Sequence, residues 1–300
     1  MLVALVILLG VAAIVMSGMM QMSLNQATIQ NRSEMHSSVR SATELLQQEI
    51  GQAGRVSLYG AGTGSTTLTA AIATTGSSVS TSVADATGMF DGEQLVIDSG
   101  DSEETVTISG TSLSTNTFNA TYVLNHANGA TVRVAGAFAS GIVPTTATNG
   151  STGFLLKIYG DINADYNMEY VEYQCDTTGG NLYRNMVAIA PGATKPTVTS
   201  SMVLLTNLQP NPPDPGTNTP APCFKYQQKT VSPNTFVVDV SVTLTVQTQN
   251  RDPQTEQFQQ ETKALLNVSP RNIFDGWELA SAGVTNRIQP MPATVTSLLP

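Results

Sequence analysis

The 300-residue chain has little charge, since Asp, Glu, Lys and Arg make up only 12% of it, about half the share in an average soluble domain. The 22 acidic residues outnumber the 13 basic ones, which gives a formal net charge of −9. An acidic surface repels phosphate backbones, so a nucleic-acid partner is not expected. Ser, Thr, Asn, Gln and Gly take the place of the missing charges, and such a composition is typical of an exported, β-rich surface.

Histidine and the common catalytic motifs are also scarce. The two histidines, His36 and His126, have no His, Cys or acidic pair beside them at metal-ligand spacing. The sequence contains no GxSxG nucleophile motif, no phosphate-binding loop and no dinucleotide fingerprint. We therefore expect a protein that is not an enzyme, with no catalytic or cofactor-binding residues.

The chain has only two cysteines, Cys175 and Cys223. In a cytosolic protein they would be unrelated reduced thiols, whereas two cysteines in an exported chain usually pair. Because the N-terminal segment indicates export, we expect a disulfide that joins the strand-like run MEYVEYQC to the run CFKYQ.

Charge is absent from the first 31 residues, and proline does not occur before Pro144. Residues 1–22 are apolar on all sides, and about 20 such residues span a hydrocarbon core of about 30 Å as a helix. A secretory signal peptide would begin with a basic region and end at a small-residue cleavage site. An ordinary anchor would stop at a flanking cluster of charges, but here the helical pattern continues.

The polar stretch that follows keeps an apolar stripe at helical spacing. The stripe residues are Met35, Val39, Ala42, Leu46, Ile50 and Ala53, and Gly54 suits the helix end. The sequence predicts one continuous helix with a transmembrane half over residues 1–22 and an amphipathic half over residues 23–54.

The rest of the chain is rich in short, β-branched, alternating runs. We expect a linker over residues 55–74, an inserted β module over 75–136, an antiparallel sheet domain over 150–272 and an extended tail over 273–300. In the longest run, Val238, Val240, Val242, Leu244 and Val246 alternate with polar residues, as in a strand with one face over a core. The predicted fold class is α+β, with the long helix packed on the sheet.

The run MLVALVILLG, followed by a polar stretch that ends LLQQEIGQAG, resembles the N-terminal helix of type IV pilins and pseudopilins. The order of a DxNxD loop, LYR, LLTNL with CFKYQ, and NVSPRN is similar to PilW-type minor pilins and the related J-type pseudopilins of type II secretion. The resemblance covers the helix and residues 153–272, and leaves out the inserted module and the tail.

The resemblance implies a minor structural subunit of a type IV pilus, held in the inner membrane by one helix and then carried to the cell surface in a filament. Other pilin subunits would be its partners, through the N-terminal helix. A type II secretion pseudopilin and a single-pass membrane-anchored adhesin are the alternatives. A minor role is favoured because a bulky insert would crowd a closely packed shaft.

The processing signal of the family is absent here. Family members carry a basic leader and Gly-Phe-Thr-Leu-Ile-Glu, and a prepilin peptidase cuts after the Gly. Met1 falls just after the position of the Glu, so no residue here takes the role of that Glu. We expect a start that was assigned too late. A trimmed chain and a member that is not processed are the alternatives.

One loop has the oxygen spacing of a calcium site. In DINADYNMEYVE, carboxylate and amide side chains occupy positions one, three, five, seven, nine and twelve. The candidate ligands are Asp161, Asn163, Asp165, Asn167 and Glu172. Tyr166 occupies the sixth position, where the tight turn favours Gly. The alternative is a polar turn between two strands, with Glu169 and Glu172 on the second strand.

Overall fold

A computed structural model describes residues 1–300 except 74, 191, 272, 285 and 286. Its first element is one uninterrupted helix of 51 residues, α1 (Leu2–Gln52). At 1.5 Å per residue, α1 is about 75 Å long. The chain turns away just beyond it at Gly54, whose φ of +77° is a conformation that residues with a side chain rarely adopt. The prediction of one continuous helix is confirmed.

The second half of α1 packs on the β-structure through the predicted apolar stripe. Leu46 and Ile50 have no exposed surface, and burying each such side chain contributes about 1.5–3 kcal/mol. The stripe belongs to the main hydrophobic core of the protein, together with residues of two sheets. The buried stripe residues are Met35, Val39, Ala42, Leu46, Ile50 and Ala53.

The inserted β module has a hydrophobic core of its own, which includes Leu68, Leu95, Phe118 and Tyr122. Its strands are β1 (Ser65–Thr67), β2 (Ser78–Ser82), β3 (Gln94–Ile97), β4 (Glu104–Thr107), β5 (Ser109–Ser112), β6 (Thr117–Thr121) and β7 (Thr131–Val134). They form two antiparallel sheets, one in the order β1-β7-β3-β4 and the other in the order β2-β6-β5.

The segment predicted as a linker, residues 55–74, contributes to this module. Ser65–Thr67 forms β1 and pairs with β7, and Thr66 is buried between its two neighbours. Its Ser and Thr composition suggested a flexible chain. However, β-branched Thr also fits a pleated strand once a partner edge is available, and β7 supplies that edge from 64 residues or more along the chain.

The chain enters and leaves the module at neighbouring points. A Cβ atom on Gly141 would lie 1.9 Å from the backbone nitrogen of Gly54, so the two backbones touch where only glycine fits. The Gly54 nitrogen also donates a hydrogen bond to the carbonyl oxygen of Tyr159 (2.9 Å). Between the module and this crossing lies the short strand β8 (Ala137–Phe138).

The main domain contains two antiparallel sheets that share the core under α1. In the second sheet the long strand β15 (Asn234–Gln247) pairs with each of the other three strands. The first sheet has the order β12-β11-β10-β9 and is made of β9 (Leu155–Gly160), β10 (Glu169–Asp176), β11 (Asn181–Ala188) and β12 (Val203–Thr206). The second is made of β13 (Leu208–Gln209), β14 (Phe224–Val231), β15 (Asn234–Gln247) and β16 (Gln260–Val268).

A bulge divides β15 between two cores. Gln227 pairs with Asp239 and Gln228 pairs with Val237, so Val238 has no opposite residue in β14. An extra residue reverses which side chains face which side of a sheet. The predicted apolar face therefore holds from Val240 to Val246 under α1, whereas Val238 lies in a separate cluster.

The predicted disulfide between Cys175 and Cys223 is present. Cys175 lies in β10 of the first sheet, and Cys223 directly precedes β14 of the second. Their Cα atoms are 6.5 Å apart, within the range that a disulfide can bridge. The bond thus joins the two sheets within the main core.

The C-terminal segment is folded, contrary to the predicted extended tail over residues 273–300. It forms α2 (Ile273–Ser281), β17 (Ile288–Gln289) and α3 (Ala293–Leu298), and β17 pairs in parallel with β8. Pro292, which suggested an extended chain, caps the start of α3, where its fixed φ is compatible with a helix. Val295 and Leu298 of α3 are buried in a hydrophobic cluster that they share with side chains of the first sheet.

Candidate functional site

The first half of α1 is an exposed apolar rod. Its most apolar 18-residue window has a mean hydropathy of 2.6, and none of that window is buried. The described side chains before Leu24 are all exposed, and the first charged residue is Arg32. This half of α1 is long and apolar enough to cross a membrane.

The apolar half also carries small residues without neighbours. A Cβ atom added at Gly10 or Gly18 would meet no atom within 4 Å apart from the helix itself. Small residues on an apolar helix permit close approach of a second helix in lipid or in a helix bundle. The apolar half of α1 is therefore a candidate interaction surface.

The acidic loop between β9 and β10 forms a second candidate site. One carboxylate oxygen each from Asp161, Asp165 and Glu169 lies within 4.8 Å of the others. We call these three residues the acidic cluster. Among the residues that the structure describes, no other group of three or more His, Cys, Asp or Glu side chains converges in this way.

Each carboxylate of the acidic cluster is held by a different part of the fold. Asp161 is fully buried at the end of β9, and its Oδ2 accepts a hydrogen bond from the Ser57 hydroxyl (2.5 Å). Glu169 is buried at the start of β10, and its Oε2 accepts a long hydrogen bond from the Ile162 nitrogen (3.3 Å). Asp165 is exposed at the loop tip.

The loop ligands predicted from spacing divide into two groups. Asn163 and Asn167 lie beside Asp165: the Asn163 side chain donates to Asp165 Oδ2 (2.9 Å), and the Asn167 backbone nitrogen donates to Asp165 Oδ1 (2.8 Å). These are local contacts that shape the turn.

Glu172 does not join the acidic cluster, which corrects its predicted place among the ligands. It lies three residues beyond Glu169 in β10, so the two side chains point to opposite faces of the strand. Its Oε1 lies 2.9 Å from the Lys195 Nζ and accepts a hydrogen bond from the Tyr170 hydroxyl (2.5 Å). Both Glu169 and Glu172 lie on the strand that follows the loop, as the polar-turn alternative expected, and it is Glu169 whose side chain faces the loop.

Tyr166 adopts the strained backbone that the loop requires. Its φ is +69°, and that of Ala164 is +62°, although both carry side chains. The Tyr166 ring meets the ring of Tyr59 edge-on, with centroids 5.3 Å apart. This contact with Tyr59, in the segment that leads into the module, offsets part of the backbone strain at Tyr166. The calcium-loop pattern favours glycine at this position.

Burial and like charge act together on Glu169. The pKa of its carboxyl is raised to about 7, first by burial and then by the neighbouring Asp165 and Asp161 carboxylates. Either a proton on Glu169 or a nearby cation offsets the repulsion among these three carboxylates. Arg55, with its Nε 3.5 Å from Asp161 Oδ2, is the nearest basic side chain that the structure describes, and it is partly exposed.

The two histidines lie apart from the acidic cluster. His126 is buried in the module, where its Nε2 lies 2.6 Å from Glu104 Oε1 and its Nδ1 lies 3.4 Å from Asp98 Oδ2. Glu104 also accepts hydrogen bonds from the backbone nitrogens of Val123 and Leu124, so these contacts join β4 to the turn after β6. His36 is exposed on α1 and contacts Glu261 of β16.

No family model, no curated protein and no solved structure matches this chain.

Proposed function

We propose that the chain is a minor structural subunit of a type IV pilus, held in the inner membrane by α1 until it enters the filament. The observation that carries this proposal is the continuity of α1. One helix runs without a break from an apolar half with no buried surface into a half that is packed on the sheets.

A membrane anchor needs only a span and a linker, and nothing in such a protein would fix the domain relative to the span. Here the stripe from Met35 to Ile50 attaches the domain rigidly to the same helix that carries the apolar surface. Every copy therefore presents its apolar half at the same angle and distance from its domain. A fixed geometry of this kind suits a repeating assembly in which helices pack at the centre and domains face outward.

Moving the apolar half from lipid to a bundle of similar helices changes its hydrophobic environment little. The free-energy difference then comes from packing, and small residues allow the closest packing. Gly10 and Gly18 leave open surface for this purpose, with Ala12 and Ala13 between them. The partners in this proposal are other pilin subunits, and a prepilin peptidase if a leader is encoded upstream.

A type II secretion pseudopilin would use the same helix in the same way. A single-pass anchored adhesin is the second candidate, and the module supports it, because a β module with its own core can hold a binding surface independently. In this candidate, α1 stays in the membrane and the module contacts a ligand.

Shear fractionation of cells that express the chain from its own gene tests the proposal. A pilus subunit is expected in the filaments sheared from the surface as well as in the membrane. A plain anchored adhesin would stay entirely in the membrane fraction, and a pseudopilin would stay in the cell envelope while its loss blocks secretion. Recovery from the envelope alone would contradict a pilus role.

A matched pair of variants tests the role of the small residues. Gly10→Leu keeps the helix apolar but fills the open surface, so it should insert normally and be depleted from sheared filaments. Ile14→Leu changes an exposed apolar side chain without filling that surface, and it should behave like the unmodified chain. Equal recovery of both variants in filaments would contradict packing through Gly10.

A further inference from the structure

The acidic cluster carries more negative charge than its surroundings balance. Three carboxylates converge, and Arg55, with 32% of its side chain exposed, is the only basic side chain within 4 Å of any of them among the described residues. Two like charges at such distances raise each other's free energy unless a cation or a proton intervenes.

One oxygen in the cluster also lacks a partner. Asp161 is fully buried, and while its Oδ2 faces Ser57 and Arg55, its Oδ1 accepts no hydrogen bond in the described structure. Buried polar atoms are nearly always paired, and an unpaired carboxylate oxygen is among the most costly exceptions. The Asp161 carboxylate converges with those of Asp165 and Glu169. Its unpaired oxygen is therefore evidence for a ligand at the acidic cluster.

We propose that the acidic cluster binds a calcium ion through Asp161, Asp165 and Glu169. Its donors are all oxygens, which hard divalent cations prefer, whereas zinc and copper sites usually include nitrogen or sulfur.

Coordination geometry favours calcium over magnesium. The carboxylate oxygens lie within 4.8 Å of one another, and two ligands on opposite sides of Ca²⁺ are about 4.6–5.2 Å apart, so one ion can contact all three residues. Ca²⁺ also tolerates irregular shells with carbonyl and water ligands in the remaining positions, whereas Mg²⁺ requires an octahedron.

The ion would lie where three parts of the chain meet. Asp161 directly follows β9, Glu169 begins β10, and Ser57 follows α1 on the way into the module. The module also touches the loop directly: a Cβ atom on Gly88 would lie 2.5 Å from the Ser57 carbonyl oxygen and 2.8 Å from the Tyr166 carbonyl oxygen. Calcium would therefore fix the position of the module on the main domain.

The test is a calcium titration of the full chain in detergent micelles after treatment with EDTA, followed by calorimetry and by thermal unfolding. The unmodified chain should release or absorb heat with one site per chain, and its Tm should rise with the calcium concentration. Magnesium at the same concentration should raise the Tm less. Because this measurement needs no filament, its outcome is independent of the proposed function.

Two variants and one control locate the site. Asp165→Asn, at an exposed position, and Glu169→Gln should each weaken calcium binding by roughly tenfold or more. Asp176→Asn is the matched control, because Asp176 also shapes a turn between two strands, through the backbone nitrogens of Thr178 and Gly179, but lies outside the cluster. It should bind calcium as the unmodified chain does.

Three results would overturn the proposal. The first is the absence of any heat or Tm change at millimolar calcium. The second is an equal loss of binding in Asp176→Asn, or full retention in both cluster variants, which would place the ion elsewhere. The third is an equal or larger effect of magnesium, which would exclude calcium as the preferred ion.

Discussion

The guanidinium of Arg184 in β11 donates two hydrogen bonds to the carboxylate of Glu49 near the end of α1. Its Nη2 lies 2.6 Å and its Nε 3.0 Å from Glu49 Oε1. The Tyr173 hydroxyl donates to the other oxygen, Oε2, at 2.6 Å. Glu49 is 5% exposed, so this is a buried ion pair between the helix and the first sheet. This ion pair involves the same helix as the apolar stripe, and it fixes the position of α1 along the first sheet.

Arg184→Ala should destabilise the protein by about 3 kcal/mol, because it leaves the buried Glu49 carboxylate without a countercharge. This value is at the lower end of the range for buried pairs, since 23% of the Arg184 side chain is exposed. Urea unfolding measures the change. Arg40→Ala is the control: its pair with Glu44 is exposed, so its loss should leave the free energy of unfolding almost unchanged. Equal effects of the two variants would contradict this prediction.

Leu46→Ala should cost about 2–5 kcal/mol, because it opens a cavity under α1 where Leu46 is fully buried. Gln47→Ala, one residue further along and exposed, should change the free energy of unfolding by less than about 0.5 kcal/mol. Denaturant unfolding of both variants checks the result. A small effect at Leu46 would mean that the helix is not held by its stripe.

Replacing both Cys175 and Cys223 by Ala should reduce the free energy of unfolding by about 4 kcal/mol, because the bond closes a loop with a sequence separation of 48 residues. Unfolding of the unmodified chain with and without reductant provides the comparison. The reduced chain and the double variant should have similar stabilities, and thiol labelling without reductant should find no free cysteine. Labelling of the exported protein would contradict the bond.

Glu93 predicts a dependence of stability on pH. Burial raises the pKa of its carboxyl well above 4.5, and the backbone nitrogen of Phe90 is the partner that partly opposes this effect. A raised pKa means that the folded protein holds the proton more tightly than the unfolded chain does. The contribution of Glu93 to the free energy of unfolding is therefore fully present below about pH 4.5. It is lost as the pH rises towards the pKa of Glu93 in the folded protein.

The variant Glu93→Gln should remove this loss. Its stability relative to the unmodified chain should increase between pH 5 and pH 8, as measured by thermal unfolding at each pH. Glu44→Gln, an exposed position on α1, controls for the substitution itself. A constant difference across this range would show that Glu93 does not titrate on unfolding.

The helix and the strands could be predicted because their signals are local. The spacing of Met35, Val39 and Leu46 defines a helix face within a few turns, and the alternation from Val240 to Val246 defines a strand face. The bulge at Val238 could not be predicted, since it depends on the register with β14. The folded C-terminal segment likewise depends on a partner that is distant in sequence, because β17 pairs with β8, the strand that follows the module.

The acidic loop shows the same limit at the level of a site. Spacing alone predicted Asp161 and Asp165, but the choice between Glu169 and Glu172 depends on the element that follows the loop. The hydrogen bond from Ser57 to Asp161 joins residues 104 positions apart, so no spacing rule could include it. The sequence signal for Glu169 was present, since it fills the ninth position of the pattern.

The crossing of Gly54 and Gly141 separates the module from the main core under α1. The two ends of the insertion meet at this point, and among the described residues this core contains none from positions 58–136. Substitutions, shortening or replacement within the module would leave the helix stripe and the core under it with the same neighbours. Natural variants of this protein are thus expected to differ most in the module, while the helix and its sheets vary little.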